Sequence, residues 1–406
     1  MQKHESNAMM TKEFLKKMAS LDRQDHQSLG EGLAPIALVL GQERIALELL
    51  PLLRHYSAFY DKATITALVD GVASLDFDLR KERVLEELLD FFGHFLGQED
   101  CDVRSQAFDK IVIALSAHKN KRVLQNFLWK LYAEESHFRR RALFKLVRND
   151  AIAAEIIAEQ DFLESFFSKV LEEKQSAFKK QGVRAMVHLL RLRPTAFSQV
   201  FLQEAINSLF RDPNYFVVMH AVDVALCISD SILFENYFKK LMKTKNFYVS
   251  KHLFDKIREV KQRMPALVSE EFFETFTIFL YEQDIDLRNM SFAVLPTVVD
   301  CSSDPNTTKK LLGCVKNVIG SNLNKEFRYS MVVAMLKCCK SLSKDLLIDA
   351  VLKPLLTFIR EDVDLIDAYF VENLFFFLDK VGFEAAREGF AVLFKALVAH
   401  NSQHVG

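Results

Sequence analysis

One local pattern constrains this chain more than any other: it returns every 32 to 40 residues along the sequence. The pattern is an acidic or polar turn, an aliphatic residue, often an arginine, and a small residue three positions later. An apolar run with helical spacing follows. The clearest copies are Glu99-Asp100-Cys101-Asp102-Val103-Arg104 leading to Ala107, and Glu282-Gln283-Asp284-Ile285-Asp286-Leu287-Arg288 leading to Ser291. Glu134-Glu135-Ser136-His137-Phe138-Arg139 before Ala142, and Lys325-Glu326-Phe327-Arg328, repeat it. With the arginine position as anchor, the ladder runs Gln27, Thr64, Arg104, Arg139, Lys179, Val218, Ser250, Arg288, Arg328 and Ile366. Gln27, Thr64, Ser250 and Ile366 are set by spacing rather than by residue type. A period of this length belongs to two-helix solenoid repeats of the HEAT kind.

The apolar spacing supports two helices per repeat. Behind Arg288 it reads Leu287, Met290, Val294, Leu295, Val298; behind Arg104 it reads Val103, Ala107, Ile111, Ala114, Leu115. These are the three- and four-residue steps of one helix face. Ahead of Arg104 a second run, Val84, Leu85, Leu88, Leu89, Phe92, Phe95, Leu96, has the same steps. Neither helix of a pair can bury its face alone, so stacked pairs must share one core. The expected fold is all-α: a right-handed α-solenoid of about ten HEAT-like helix pairs, with residues 1–406 forming one elongated body. Only 12 Gly and 8 Pro occur in 406 residues, too few turn formers for an all-β or doubly wound chain. Pro51, Pro296 and Pro354 suit helix starts or kinks. The anchor arginine is expected to bond an acidic residue in the neighbouring repeat's turn.

Lys plus Arg (53) and Asp plus Glu (54) leave a net charge of −1. That weighs against a general nucleic-acid binder, which needs excess positive charge. The six cysteines, Cys101, Cys227, Cys301, Cys314, Cys338 and Cys339, contain no C-x-x-C pair. They read as reduced and mostly buried. The opening residues lack the apolar core of a signal peptide. No run of 18 apolar residues free of charge occurs, so no membrane span and no membrane partner is expected. Together these features predict a soluble cytoplasmic protein, with a nuclear pool also open.

Catalytic patterns are missing from the sequence. There is no phosphate-binding G-x-x-x-x-G-K-[ST] loop, no G-x-G-x-x-G, no H-E-x-x-H, no zinc-spaced Cys/His cluster and no G-x-S-x-G. The histidines His94, His118, His137, His188, His220 and His252 fall in different repeats. A non-enzyme with no cofactor, no metal and no small-molecule substrate is expected. Arg141, Lys145 and Arg148 share a helix face within the basic stretch that starts at Arg139-Arg140. That face is either solvated surface or an electrostatic contact to an acidic partner. Phe375-Phe376-Phe377 reads as core of the last repeat, or as a cap or partner surface if exposed.

The segment Gly32 to Leu53 carries a more specific signal: Ile36-Ala37, Leu40-Gly41, Glu43-Arg44, Glu48-Leu49-Leu50-Pro51 and Leu53. It resembles the first repeat of the scaffold (A, regulatory) subunit of protein phosphatase type 2A. Asp102-Val103-Arg104 with Ala107, Arg139-Arg140-Arg141-Ala142, Asp212-Pro213-Asn214-Tyr215 with Met219, and Gln283 to Arg288 are similar to turns in the same family. Members carry more repeats than ten, so the resemblance implies a shortened form. It also implies two partners: a Ser/Thr phosphatase catalytic subunit and a substrate-selecting regulatory (B-type) subunit. By position, Asp100, Asp102, Arg104, His137, Phe138 and Arg139 would meet the regulatory subunit. Asn214, Tyr215, Phe247, Tyr248, Asp284 and Arg288 would meet the catalytic subunit, with Tyr215, Phe247 and Tyr248 expected as exposed aromatic anchors. The alternative is another HEAT adaptor, of the transport or coat-scaffold kind.

Overall fold

A computed structural model of the chain describes residues 2–20, 26, 28–117, 120–228, 231–243, 246–268, 270–280, 285–302, 304–319, 325–338, 342–382, 384, 387, 389–395 and 398. Among them there are helices and turns and no strand. The fold class is all-α, a solenoid of HEAT-like helix pairs. The chain divides into two compact units, residues 1–208 and 209–406.

In the first unit the pairing is plainest in Glu82–Phe95 with Cys101–Ala117, Lys121–Ala133 with His137–Val147, and Gln160–Glu172 with Ser176–Leu192. In the second unit, Ser231–Met242 precedes Phe247–Asp255, Glu270–Leu280 precedes Ile285–Cys301, and Pro305–Ile319 precedes Lys325–Lys337. Each pair buries its apolar stripe. Val84, Leu85, Leu88, Leu89, Phe92, Phe95 and Leu96 are all in the core.

Phenylalanine fills much of that core. Phe144 meets Phe178 at 4.6 Å, and in the second unit Phe254 meets Phe272 at 5.2 Å and Phe276 at 4.9 Å. Edge-to-face and tilted rings let large side chains interdigitate between curved helix surfaces. Where backbones come closest, glycine is required. A Cβ on Gly30 would lie 2.6 Å from the Ala67 carbonyl oxygen, and one on Gly71 would lie 2.8 Å from the Gly30 carbonyl oxygen. That close approach joins Leu29–Leu40 to Lys62–Ala73.

Polar ties link successive repeats at one repeat length. Lys121 Nζ meets Glu159 at 2.6 Å, 38 residues on, and Lys130 Nζ meets Asp90 at 2.5 Å, 40 residues back. Two prolines act as helix starts: Pro51 and Pro354 each follow a π-turn, Ile45–Leu49 and Ile348–Leu352. A proline lacks the N–H and crowds the carbonyl four residues back, and a widened turn relieves both. Pro296 lies inside its helix.

Three expectations need correction. Among the described cysteines only Cys301 and Cys338 are buried; Cys101 is exposed, and Cys227 and Cys314 are half-buried. Cys101 opens its helix at the turn, where the first position faces out. Of the three adjacent phenylalanines, Phe377 is fully buried but Phe375 and Phe376 are about half exposed. A three-residue run spans most of a helical turn and cannot face one way. The anchor arginines also differ from one another. Arg328 does bond the next repeat's turn, at Asp362 (2.7 Å) and Glu361 (3.1 Å). Arg104 instead bonds its own turn, and Arg139 bonds its own turn and the repeat behind it.

Candidate interaction surface

In the first unit the turns around Asp100 and Glu134 are held by charge. Asp100 Oδ1 accepts from the backbone N–H of Asp102 (2.9 Å) and Val103 (3.1 Å), capping the helix that begins at Cys101. Asp100 and Asp102 both reach Lys62 Nζ, at 2.8 and 2.6 Å. Their hydrogen bonds raise the ammonium and lower both carboxyls. Arg104 Nη1 donates to the carbonyls of Gln98 (2.7 Å) and Glu99 (2.5 Å), and its guanidinium lies 4.2 Å from the ring centre of Phe138 in the next repeat. His137 is exposed beside Phe138.

Arg139 turns inward. It donates to Glu134 at 2.7 Å and, one repeat back, to the His94 carbonyl at 3.0 Å and His94 Nδ1 at 3.3 Å. An arginine can only donate, so Nδ1 must be bare and the His94 proton sits on Nε2. Nε2 then donates to Ser57 Oγ at 2.8 Å, and Ser57 Oγ donates to the Arg54 carbonyl at 2.7 Å. Burial, with the charges of Arg139 and Arg54 beside it, pulls His94 down to about 4. The next residue, Arg140, stacks 3.7 Å from the Phe178 ring centre and bonds Glu173 at 2.8 Å. Burial and a hydrogen bond to the same Glu173 push Tyr132 up to about 12.

In the second unit the turn after Asp212 and the turn after Asn246 present rings. Asn214 and Asn246 are helix caps: Asn214 Oδ1 accepts from the Phe216 N–H (2.9 Å), and Asn246 Oδ1 from the Val249 N–H (3.2 Å). Tyr215 stacks on Tyr248 with ring centres 4.8 Å apart and packs on Phe216 at 4.1 Å. Phe216 and Tyr248 are exposed, at 42% and 37%, whereas Tyr215, expected as an exposed anchor, is half-buried between their rings. Phe247 is not an exposed anchor: it is buried, with its ring 5.3 Å from Phe279. Adjacent helical residues point about 100° apart, so if Tyr248 faces out Phe247 faces the core. Asp284 lies outside the described residues, and so does the side chain of Arg288.

Two features escaped the sequence reading. Phe216 joins the ring cluster. Behind it, Asp223 accepts from both His220 Nδ1 (2.9 Å) and His252 Nε2 (3.1 Å), joining the helices Tyr215–Cys227 and Phe247–Asp255. Burial alone would raise the Asp223 carboxyl, but the two imidazole bonds outweigh it and hold it far below the usual range. Register held the signal. His220 and His252 each sit two places after an anchor, and Phe216 and Tyr248 each sit two places before one. Among the described residues no group of three His, Cys, Asp or Glu could hold a metal ion, and no helix is long and apolar enough to cross a membrane.

No known protein family matches this sequence, and no curated protein matches it. Solved structures do share its fold. Kap121p bound to Nup53p superposes with a TM-score of 0.63 at 12% identity, covering 98% of this chain and 44% of that one. Kap121p bound to RanGTP gives 0.58 at 12% identity, over 97% of this chain and 47% of that one. The karyopherin Kap121p bound to the C-terminus of the protein phosphatase Cdc14p gives 0.54 at 13% identity, over 98% and 52%. This chain thus spans about half the length of the structures it resembles.

Proposed function

We propose that this chain is a non-catalytic protein-binding adaptor, of the transport-receptor kind, that seats its partners on the starts of its second helices. The observation that carries the reading is the ring cluster across two successive repeats, in which exposed Phe216 and Tyr248 flank a half-buried Tyr215. Aromatic rings at the centre of a contact patch are the side chains that dominate protein interfaces. The karyopherin structures that share the fold support the transport form of the adaptor. The expected location is the cytoplasm, with a nuclear pool.

The second reading is the phosphatase scaffold, and the Gly32–Leu53 string favours it. The placement of that string weakens it as a sign of partner choice. Ile36, Ala37, Ile45, Leu49, Leu50 and Leu53 are all buried, Gly41 takes a left-handed φ of 81° at the turn, and Arg44 pairs with Glu48 on its own helix. These residues shape a first repeat whatever binds it.

Affinity purification from the native cell separates the two. The transport reading expects Ran in its GTP form among the captured proteins. The scaffold reading expects a stoichiometric Ser/Thr phosphatase catalytic subunit. Tyr215→Ala with Tyr248→Ala is expected to cost the main partner at least about tenfold in affinity. Retention of every partner by that double variant sinks the ring surface as the binding site.

A further inference from the structure

The first unit holds a groove that the charge-bonded turns leave open. It lies between the helices Cys101–Ala117 and His137–Val147, with a cavity volume of about 370 Å³. Phe108, Phe138 and Leu96 give it apolar walls, and Arg104, Arg141 and Lys145 rim it. No carboxylate lines it among the described residues.

The three cations are positioned but not neutralised. Lys145 Nζ sits 4.1 Å from the ring centre of Phe108, as Arg104 sits over Phe138. A ring face attracts a cation by about 0.5–1 kcal/mol at an exposed site and carries no net charge. Arg104 gives Nη1 to two backbone carbonyls, which leaves Nε and Nη2 as donors with no acceptor among the described residues. Arg141 is exposed and forms no ion pair among the described residues. The nearby carboxylates of Asp100 and Asp102 are already engaged by Lys62. The positive field continues past the groove: Arg148 is pushed down by burial and by the like charge of Arg184 on the following repeat.

We propose that this groove binds an extended acidic peptide segment, one that carries an aromatic or large aliphatic residue between Asp or Glu side chains. The apolar residue would sit between Phe108 and Phe138. The flanking carboxylates would bond the free guanidinium edge of Arg104 and the heads of Arg141 and Lys145, as charge-assisted bonds. A peptide fits better than a nucleic acid because the cations are few, confined to one groove, and set in a chain of net charge −1. The inference rests on the adaptor reading but uses a different surface from the Tyr215 stack.

The test is fluorescence anisotropy on the full-length chain with three labelled probes. One is a dodecapeptide of Asp and Glu with a single central Phe. The second replaces every acid by Asn or Gln, and the third is a dodecamer of uridine. The acidic peptide is expected to bind, and Arg141→Glu with Lys145→Glu to weaken it by about tenfold or more, with the loss shrinking as salt is raised. Both residues are exposed, and circular dichroism checks that the variant stays folded. Equal binding of the uncharged peptide, no effect of the double reversal, or tighter binding of the uridine probe would each overturn the proposal. Proteins captured from the cell separate the two claims. If they are retained by Arg141→Glu/Lys145→Glu but lost by Tyr215→Ala/Tyr248→Ala, the adaptor stands without an acidic ligand in this groove. The reverse pattern moves the main contact to the groove.

Discussion

The turn region around residues 100–140 and the turn region around residues 212–252 occupy equivalent places in their repeats, yet different chemistry holds them. The first is tied by Lys62 to two aspartates, by Arg139 to Glu134 and His94, and by Arg140 to Glu173. The second is tied by one half-buried carboxylate shared between two imidazoles, and it shows aromatic rings to solvent. In the first region most cations serve the repeat itself, and what remains for a ligand is the short cationic rim of one groove. In the second the polar groups lie inside and the rings remain outside. Equivalent positions in a solenoid therefore do not offer equivalent surfaces; what a turn presents depends on which of its side chains the neighbouring repeat consumes.

The largest expected effect tests whether the two units respond separately. Phe144 is fully buried against Phe178. Phe144→Ala is expected to cost about 3–5 kcal/mol. Trp129, the single tryptophan, belongs to the first unit, so its fluorescence should report the loss. Hydrogen exchange should rise within residues 1–208 and stay near its starting level within 209–406. A matching rise in both halves means that they unfold together.

Next is the carboxylate between the imidazoles. Asp223→Ala leaves the buried His220 and the half-buried His252 without their acceptor, a cost of about 1–3 kcal/mol. Exchange protection measured over Tyr215–Cys227 and Phe247–Asp255 should fall together in this variant. Loss confined to one of those helices shows that the bridge does not couple the repeats.

Acid should distinguish the regions as well. His94 is held down to about 4 from 6.5, so between these values the unfolded chain takes a proton that the folded chain refuses. Its contribution is whole above pH 6.5 and is lost as pH falls towards 4, about 1–2 kcal/mol once solvent screening is allowed for. The Asp223 carboxyl is lowered from 3.8, so its contribution persists to about pH 3.8 and fades only below it. The Trp129 signal should therefore weaken first on acidification, and His94→Gln should flatten the pH 4–6.5 part of that curve. A Trp129 midpoint that does not move across that range counts against the neutral His94 assignment.

The smallest effect is at Lys62. Exposed ion pairs contribute little, so Lys62→Ala should leave the thermal midpoint nearly unchanged at moderate salt. A clear drop would mean that the Asp100–Asp102 turn depends on that ammonium rather than on the Asp100 cap.

Much of this could be read from the chain itself. The stripe Val84 to Leu96 and the stripe behind Arg104 specify paired helices because their period matches 3.6 residues and nothing else buries them. Paucity of glycine and proline closes off the other fold classes. Site residues were harder. Phe247 and Tyr248 are neighbours of similar character, and only the packing of Phe279 decides which one is buried. Arg104 and Arg139 hold the same repeat position, yet one lies over a ring and the other reaches back to His94. Period and polarity show which helix a side chain is on. They do not show which neighbour meets it, because that depends on small offsets between stacked helices. So the sequence alone determined a helical-pair solenoid and where its turns fall. Only the tertiary structure decided which charges are neutralised by the next repeat and which cations and rings remain facing outward.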